Sequence, residues 1–190
     1  PSIPDLNRAY AYDDDDRILT INGTSATYDD NGNLTYDDEM VYQYDFENRL
    51  VEVSGNGDTW TYTYDGDGNR VEIDFNSTKR RFVVDPQGMT NVLVELDGSN
   101  AVTRNYVYGL GLLYQVDDSN VEAYYHFNGT GHTVAMTNDA ESIVNSYAYA
   151  PYGQITGMDE TVFNPFRYVG QYGVMDDENG LYNMRARYYA

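Results

Sequence analysis

The chain has 190 residues and carries 31 Asp or Glu against 11 Lys or Arg, a formal charge of −20 at pH 7. Hydrophobic residues at 41% supply enough apolar material for a core and exclude disorder as the main state. The absence of cysteine excludes a disulfide framework and a thiolate metal site, no apolar run reaches the about 18 residues that read as a membrane-spanning helix, and so acidic a surface argues against nucleic acid as a partner.

Tyrosine is the unusual residue, at 21 copies against 6 Phe and 1 Trp. Along the chain the first alternating run is Tyr42-Gln43-Tyr44-Asp45-Phe46. Next, Trp60, Tyr62 and Tyr64 alternate with Thr59, Thr61 and Thr63, which puts rings on one face of a strand and threonines on the other. Shorter runs follow at Phe82-Val83-Val84, Val92-Leu93-Val94, Tyr106-Val107-Tyr108, Ile143-Val144 and Tyr147-Ala148-Tyr149. Between the runs lie Asp30-Asn31-Gly32-Asn33, Gly55-Asn56-Gly57-Asp58, Asp65-Gly66-Asp67-Gly68-Asn69, Asp97-Gly98-Ser99-Asn100 and Asn128-Gly129-Thr130-Gly131. Asn-Gly and Asp-Gly supply the positive φ of tight hairpins. No segment shows a helical period, so the pattern predicts an antiparallel meander.

A repeat organises these elements. Tyr-Asp pairs begin at Tyr12, Tyr28, Tyr44 and Tyr64, each followed a few residues on by Arg17-Ile18, Asn33-Leu34, Arg49-Leu50 or Asn69-Arg70-Val71. One unit is about the length of a hairpin, and a lone hairpin is not stable in water, so consecutive units must stack. The Tyr ends a strand, Asp accepts amide protons in the turn, and Gly-Asn, as in Gly68-Asn69 after Asp65, closes it with positive φ. Tyr12, Tyr28, Tyr44, Tyr64, Asp65, Gly68, Tyr108 and Tyr149 are therefore expected to be structural.

Chemistry-bearing residues are sparse. His126 and His132 bracket a turn and read as structural rather than as an acid–base or metal pair. Asp65, Asp67 and Asn69 are weak calcium candidates, but Arg70 stands where the calcium-loop glycine belongs and Asn76 where the bidentate Glu belongs. Four sequon matches, at Asn22, Asn33, Asn76 and Asn128, are what a chain rich in Asn and Thr yields by chance. The tyrosine stripes read as cross-strand packing, with glycan stacking as the alternative. Arg167, Arg185 and Arg187 are expected to pair with carboxylates of earlier repeats and fasten the end of the ribbon.

The Tyr-Asp units resemble the YD repeats of the RHS family, which includes bacterial polymorphic toxins, the B and C components of insecticidal toxin complexes, and teneurins. The second half carries the tighter resemblance. Its blocks are Tyr106-Val107-Tyr108-Gly109, Tyr124-Tyr125-His126-Phe127-Asn128-Gly129-Thr130-Gly131-His132, Tyr147-Ala148-Tyr149-Ala150-Pro151-Tyr152-Gly153 and Asn164-Pro165-Phe166-Arg167-Tyr168-Val169-Gly170. The last block, Asn179-Gly180-Leu181-Tyr182-Asn183-Met184-Arg185-Ala186-Arg187-Tyr188-Tyr189, is similar to the RHS-repeat-associated core signature. The resemblance implies a β-ribbon wound into a shell that encloses a toxin or serves as a scaffold, with structural roles for Gly180, Tyr188 and Tyr189. Many bacterial members cleave themselves at an aspartate-containing segment beyond this signature.

The expectation is thus an all-β chain of stacked antiparallel hairpins, part of a YD-repeat β-shell, with hairpin repeats over 1–105 and the RHS core segment over 106–190 as one continuous structure. Its expected role is a non-enzymatic scaffold, secreted or at the cell surface, without cofactor or membrane insertion. Its expected partners are the remainder of a larger shell, a toxin cargo, or further copies of itself. An adhesion or glycan-binding module, and the remnant of a self-cleaving protein, are the alternatives.

Overall fold

A computed structural model describes residues 9–189. The described residues form β1 (Tyr10–Tyr12), β2 (Ile18–Ile21), β3 (Thr24–Ser25), β4 (Thr27–Tyr28), β5 (Leu34–Tyr36), β6 (Val41–Tyr44), β7 (Leu50–Gly55), β8 (Asp58–Tyr64), β9 (Arg70–Phe75) and β10 (Thr78–Asp85). They continue with β11 (Asn91–Asp97), β12 (Val102–Tyr108), β13 (Leu112–Asp117), β14 (Glu122–Phe127), β15 (Thr133–Thr137), β16 (Ile143–Tyr149) and β17 (Ile155–Glu160). A 3-10 turn at Gly170–Tyr172 precedes β18 (Met175–Asp176), β19 (Tyr182–Met184) and β20 (Arg187–Tyr189). No helix among the described residues is long and apolar enough to cross a membrane.

The chain divides into two compact units. One holds the described residues up to Asp65 with Arg70–Arg80, the other holds Gly66–Asn69 and the residues from Arg81 on, and β10 contributes to both. In the first unit β1, β2 and β3 form a small antiparallel sheet, and β4 to β9 pair in sequence order. In the second, β11 to β17 pair in sequence order, while β18, β19 and β20 form a separate antiparallel sheet. The boundary read from the sequence, between 105 and 106, falls inside β12.

In the first unit the alternation sorts the faces as the sequence predicts. Tyr42 opposes Val53, Val53 opposes Trp60, and Tyr62 opposes Ile73, all buried. Trp60 also stacks on Phe75, with centroids 4.8 Å apart. Each such fully buried side chain contributes about 1.5–3 kcal/mol relative to exposure. On the opposite face Gln43 donates to Glu52 at 2.6 Å, and Lys79 bonds Glu72 at 2.7 Å beside the exposed Thr61 and Thr63.

Two kinds of turn join the strands. Two-residue turns with positive φ at both central positions lie at Asn22-Gly23, Asn56-Gly57 and Asn76-Ser77, the geometry whose twist matches paired strands. The other kind spans five residues. In the turn from Asp45 to Arg49, the Asp45 amide donates to the Arg49 carbonyl and the Asn48 amide to the Asp45 carbonyl. Asp45 Oδ1 accepts from the amides of Glu47 and Arg49, both at 2.9 Å. The same bonding recurs from Asp13, Asp29, Asp97, Asp117, Asn128 and Asn138. Positive φ falls on the fourth residue, among them Gly32, Asn48, Gly68, Asn100 and Gly131. In Gly68-Asn69 it is therefore the glycine that takes the left-handed conformation.

A register shift accompanies most of these turns, though not the one from Asp117. Gln43 opposes Glu52 but Tyr44 opposes Leu50, so Val51 is the extra residue of a bulge. The same shift skips Val71, Leu113, Val134 and Thr156.

Candidate functional site

The second unit is completed by the chain after β17, which is seated against the buried face of β13–β16. Three polar side chains on that face hold it: Gln115, Thr133 and Asn145, at 1%, 0% and 1% exposure. Buried polar groups are costly unless bonded, and these are bonded to the backbone of the returning segment. Gln115 Nε2 donates to the Phe163 carbonyl at 2.8 Å, while Gln115 Oε1 accepts from the Tyr125 hydroxyl at 2.7 Å. Asn145 Oδ1 accepts from the amides of Thr161 and Val162, both at 2.9 Å, and its Nδ2 donates to the Val162 carbonyl at 2.6 Å. Thr133 donates from its hydroxyl to the Phe166 carbonyl and from its amide to the Arg167 carbonyl. Phe166 is fully buried and meets Tyr106 edge-on, with centroids 5.0 Å apart.

Arg167 is the electrostatic centre. Its guanidinium, nearly buried, bonds Glu160 at 2.9 Å and Asp176 at 3.0 Å and reaches Glu178 at 3.4 Å. Burial alone would favour the neutral form, but the Glu160 and Asp176 carboxylates outweigh it and hold the charge firmly. The expected pairing with carboxylates is therefore present at Arg167, with Glu160 at the end of β17 and with Asp176 and Glu178 of its own segment. Arg185 differs: it donates to the backbone carbonyls of Thr90 and Tyr172. Arg187 is exposed and makes no ion pair among the described residues.

An aromatic cluster adjoins the clamp. His132 stacks on Tyr168 with centroids 4.5 Å apart and planes 19° apart, and Tyr168 also packs on Tyr182 and Tyr189. The Tyr182 hydroxyl donates to the Gly153 carbonyl, and that of Tyr189 to the Tyr152 carbonyl. Gly153 lies under the Tyr168 ring, where a Cβ would come within 2.8 Å of it. Burial lifts the Tyr182 phenol to about 12. His132 Nδ1 accepts from the Val169 amide at 3.1 Å, and burial lowers its pKa.

The remaining expected residues fall at separate places. The hydroxyls of Tyr28, Tyr64 and Tyr149 donate to the carbonyls of Ile18, Leu50 and Thr133, each the first strand residue after the preceding five-residue turn. Arg17 lies over the Tyr28 ring and Arg49 over the Tyr64 ring, while His132 packs against Tyr149. Tyr12 is exposed on β1, and Tyr44 ends β6. Tyr108 is largely buried, and burial pushes its phenol pKa well up. Gly180 takes φ 85; Tyr188 opposes Asn183 in the sheet of β19 and β20. His126 is exposed and bonds Thr137, apart from the surroundings of His132. Asp65 lies in one unit and Asp67 and Asn69 in the other; Asn69 accepts from the Thr90 hydroxyl. No group of three or more His, Cys, Asp or Glu able to hold a metal occurs among the described residues.

Residues 35–149 match the family model of the teneurin YD-shell. The chain belongs to the YD-shell family. It is also 35% identical over 181 residues, 91% of its length, to the tRNA3(Ser)-specific nuclease WapA of Bacillus spizizenii, and equally so to the tRNA nuclease WapA of Bacillus subtilis strain 168. It spans 8% of the length of these relatives. Among solved structures it resembles a chain of the TcdB2-TccC3 complex, with a TM-score of 0.64 and 20% identity, covering 85% of this chain and 9% of that one. It also resembles a chain of the Photorhabdus luminescens Tc holotoxin pore, with a TM-score of 0.66 and 18% identity, covering 96% of this chain and 11% of that one. These two likenesses concern the fold.

The nuclease names correct one expectation. The sequence reading makes this a chain with no enzymatic role, because no catalytic constellation stands out in it; relatives matching 91% of it are named as nucleases. The chain spans 8% of the length of those relatives, and their names are statements about the whole relatives. Nor do names that specify tRNA support the expectation that nucleic acid is no partner. The YD-shell fold itself is that of a structural RHS shell segment.

Proposed function

We propose that the chain is the part of a longer secreted or cell-surface toxin protein that closes its shell wall, and that the cargo so enclosed or presented is a nuclease acting on tRNA. The observation that carries the reading is the seating of the 161–178 segment by Gln115, Thr133 and Asn145 on the buried face of the sheet, with Arg167 of the segment paired to Glu160 of β17. A segment held by buried polar bonds to its backbone is fixed in place rather than draped on the surface, as a wall that must keep a cargo in requires. The share of the relatives that the chain spans, 8%, leaves ample length for the rest of a shell and its contents.

The test uses the whole parent protein. Phe166→Ala and Arg167→Ala are introduced, and protease cleavage of the cargo and tRNA cleavage are followed over time. Loosening of the wall is expected to expose the cargo to protease at least several-fold faster than in the unaltered protein. Equal protease access in folded variant and parent contradicts the reading.

A further inference from the structure

Tyr114 and Tyr124 stand directly opposite each other on β13 and β14, on the face away from the buried one. Their rings are half-exposed, with centroids 5.2 Å apart and planes 32° apart, within the range of packed aromatic pairs. The Tyr124 hydroxyl donates to the Glu122 carboxylate on its own strand. Three conditions for joining two phenols thus coincide: rings reachable from solvent, a partner ring in contact on the adjoining strand, and a carboxylate placed to take the phenolic proton.

Other tyrosines meet some of these conditions. Tyr168 and Tyr182 are 5.3 Å apart, but the Tyr182 hydroxyl donates to a backbone carbonyl, which is a poor proton acceptor. Tyr147 donates to Glu160, yet it is buried and its neighbour Tyr149 is 6.4 Å away on the same strand. Tyr10 and Tyr12 are exposed but 6.3 Å apart, again along one strand.

We propose that Tyr114 and Tyr124 are a site of oxidative cross-linking, closing a covalent dityrosine staple between β13 and β14. The co-reactant is hydrogen peroxide acting through a haem peroxidase. Each phenol loses one electron to the peroxidase and one proton, that of Tyr124 passing to Glu122. The two phenoxyl radicals couple through their ortho carbons, both rings regain aromaticity by losing the ortho hydrogens to the phenol oxygens, and the peroxide is reduced to two waters. In net terms two tyrosines and one peroxide give one dityrosine and two waters. A chain without cysteine has no disulfide to lock neighbouring strands, and this pair supplies another covalent route.

The test treats the full chain with peroxidase and limiting hydrogen peroxide, then measures intact mass, dityrosine fluorescence and cross-linked peptides after proteolysis. The expected product is a monomer lighter by two hydrogens, with one dominant link joining Tyr114 to Tyr124. Tyr124→Phe and Tyr114→Phe, both on the outer face, are expected to fold as the parent does by melting and to lose that link. Glu122→Gln is expected to form it several-fold more slowly. Links scattered over other tyrosines, links only between molecules, or an unmodified mass overturn the assignment. An unchanged rate in Glu122→Gln overturns the role of the carboxylate.

Discussion

The hydroxyl of Tyr64 donates to the carbonyl of Leu50 at 2.7 Å, reaching back fourteen residues to the strand that leaves the preceding turn. Arg49, the last residue of that turn, places its guanidinium over the Tyr64 ring and bonds Asp45 at 2.7 Å. The same clasp, a tyrosine held by the strand that leaves the preceding turn, recurs at Tyr28 on Ile18 and at Tyr149 on Thr133.

Removing one clasp should be measurable. Tyr64→Phe deletes a single hydrogen bond and should cost about 1 kcal/mol. Tyr64→Ala also loses ring packing and the cation–π contact and should cost more, in line with large-to-small changes of about 3–5 kcal/mol for buried aromatics as an upper bound. Denaturant melts of both variants, and of each combined with Arg49→Ala, report the coupling. Independent, additive effects would count against the clasp.

The turns carry an acid dependence. Asp29 and Asp97 have lowered pKa values, through the Asn33 side chain and the Ser99 side chain first and then turn amides. For Asp45 burial pushes the pKa up, but the bonds from Arg49 and Glu47 outweigh it and leave it lowered. Folded-state pKa values below the unfolded ones give stability that is complete above the ordinary carboxylate value, about 3.9 for Asp, and is lost as pH falls through the folded values. Melting temperature should drop on acidification in that window. Asp45→Asn keeps the amide acceptor, as Asn128 and Asn138 do, and should melt above Asp45→Ala at neutral pH.

His132 adds a second window. Burial lowers its pKa and its Nδ1 accepts a hydrogen bond from the Val169 amide, so the folded state favours the neutral ring. The stabilising contribution is complete above the unfolded value, about 6.5, and declines as pH falls toward the folded value. Unfolding free energy measured between pH 7.5 and 5 should fall in the wild type and be flatter in His132→Asn. Parallel profiles would be inconsistent with this.

Glycines at the fourth turn position should differ by their surroundings. Gly32 and Gly131 both have φ +85, but a Cβ on Gly32 meets nothing, whereas on Gly131 it would lie 2.5 Å from the Tyr172 ring. Gly32→Asn should be close to neutral, since Asn48 adopts that conformation natively. Gly131→Asn should cost about 1–3 kcal/mol as an overpacking change. Comparable melting of the two variants would contradict this.

The tyrosine-bearing strands and the Asn-Gly turns are legible because strand period and turn chemistry are local, whereas the bond from a tyrosine hydroxyl to the strand after the preceding turn is not. The seat of the C-terminal segment could not. Gln115 and Asn145 are not among the residues expected to be structural, and only the ladder shows them facing inward. Asn145 shares its parity with Tyr147 and Tyr149, which is the signal that would have found it. For Gln115 that signal fails: the bulge at Leu113 shifts the strand by one residue, so Leu112 goes in and Leu113 out. The partners of Arg167 and Arg185 depend on where the chain returns after β17, which no local pattern encodes.

Residue-resolved hydrogen exchange on the chain is the decisive measurement of whether the C-terminal segment is locked onto the buried face of the sheet rather than loosely draped on it. Exchange of the Thr133, Phe166, Gln171 and Asp176 amides, which bond Arg167, Asn164, Gly131 and Pro165, is compared with that of the strand amides of β14 and of β15 beyond Thr133. The account predicts slow exchange at all four, lost together in Arg167→Ala. Exchange at these four amides at the rate of an unfolded chain, while the other amides of β14 and β15 stay protected, is the opposite result and overturns the seating.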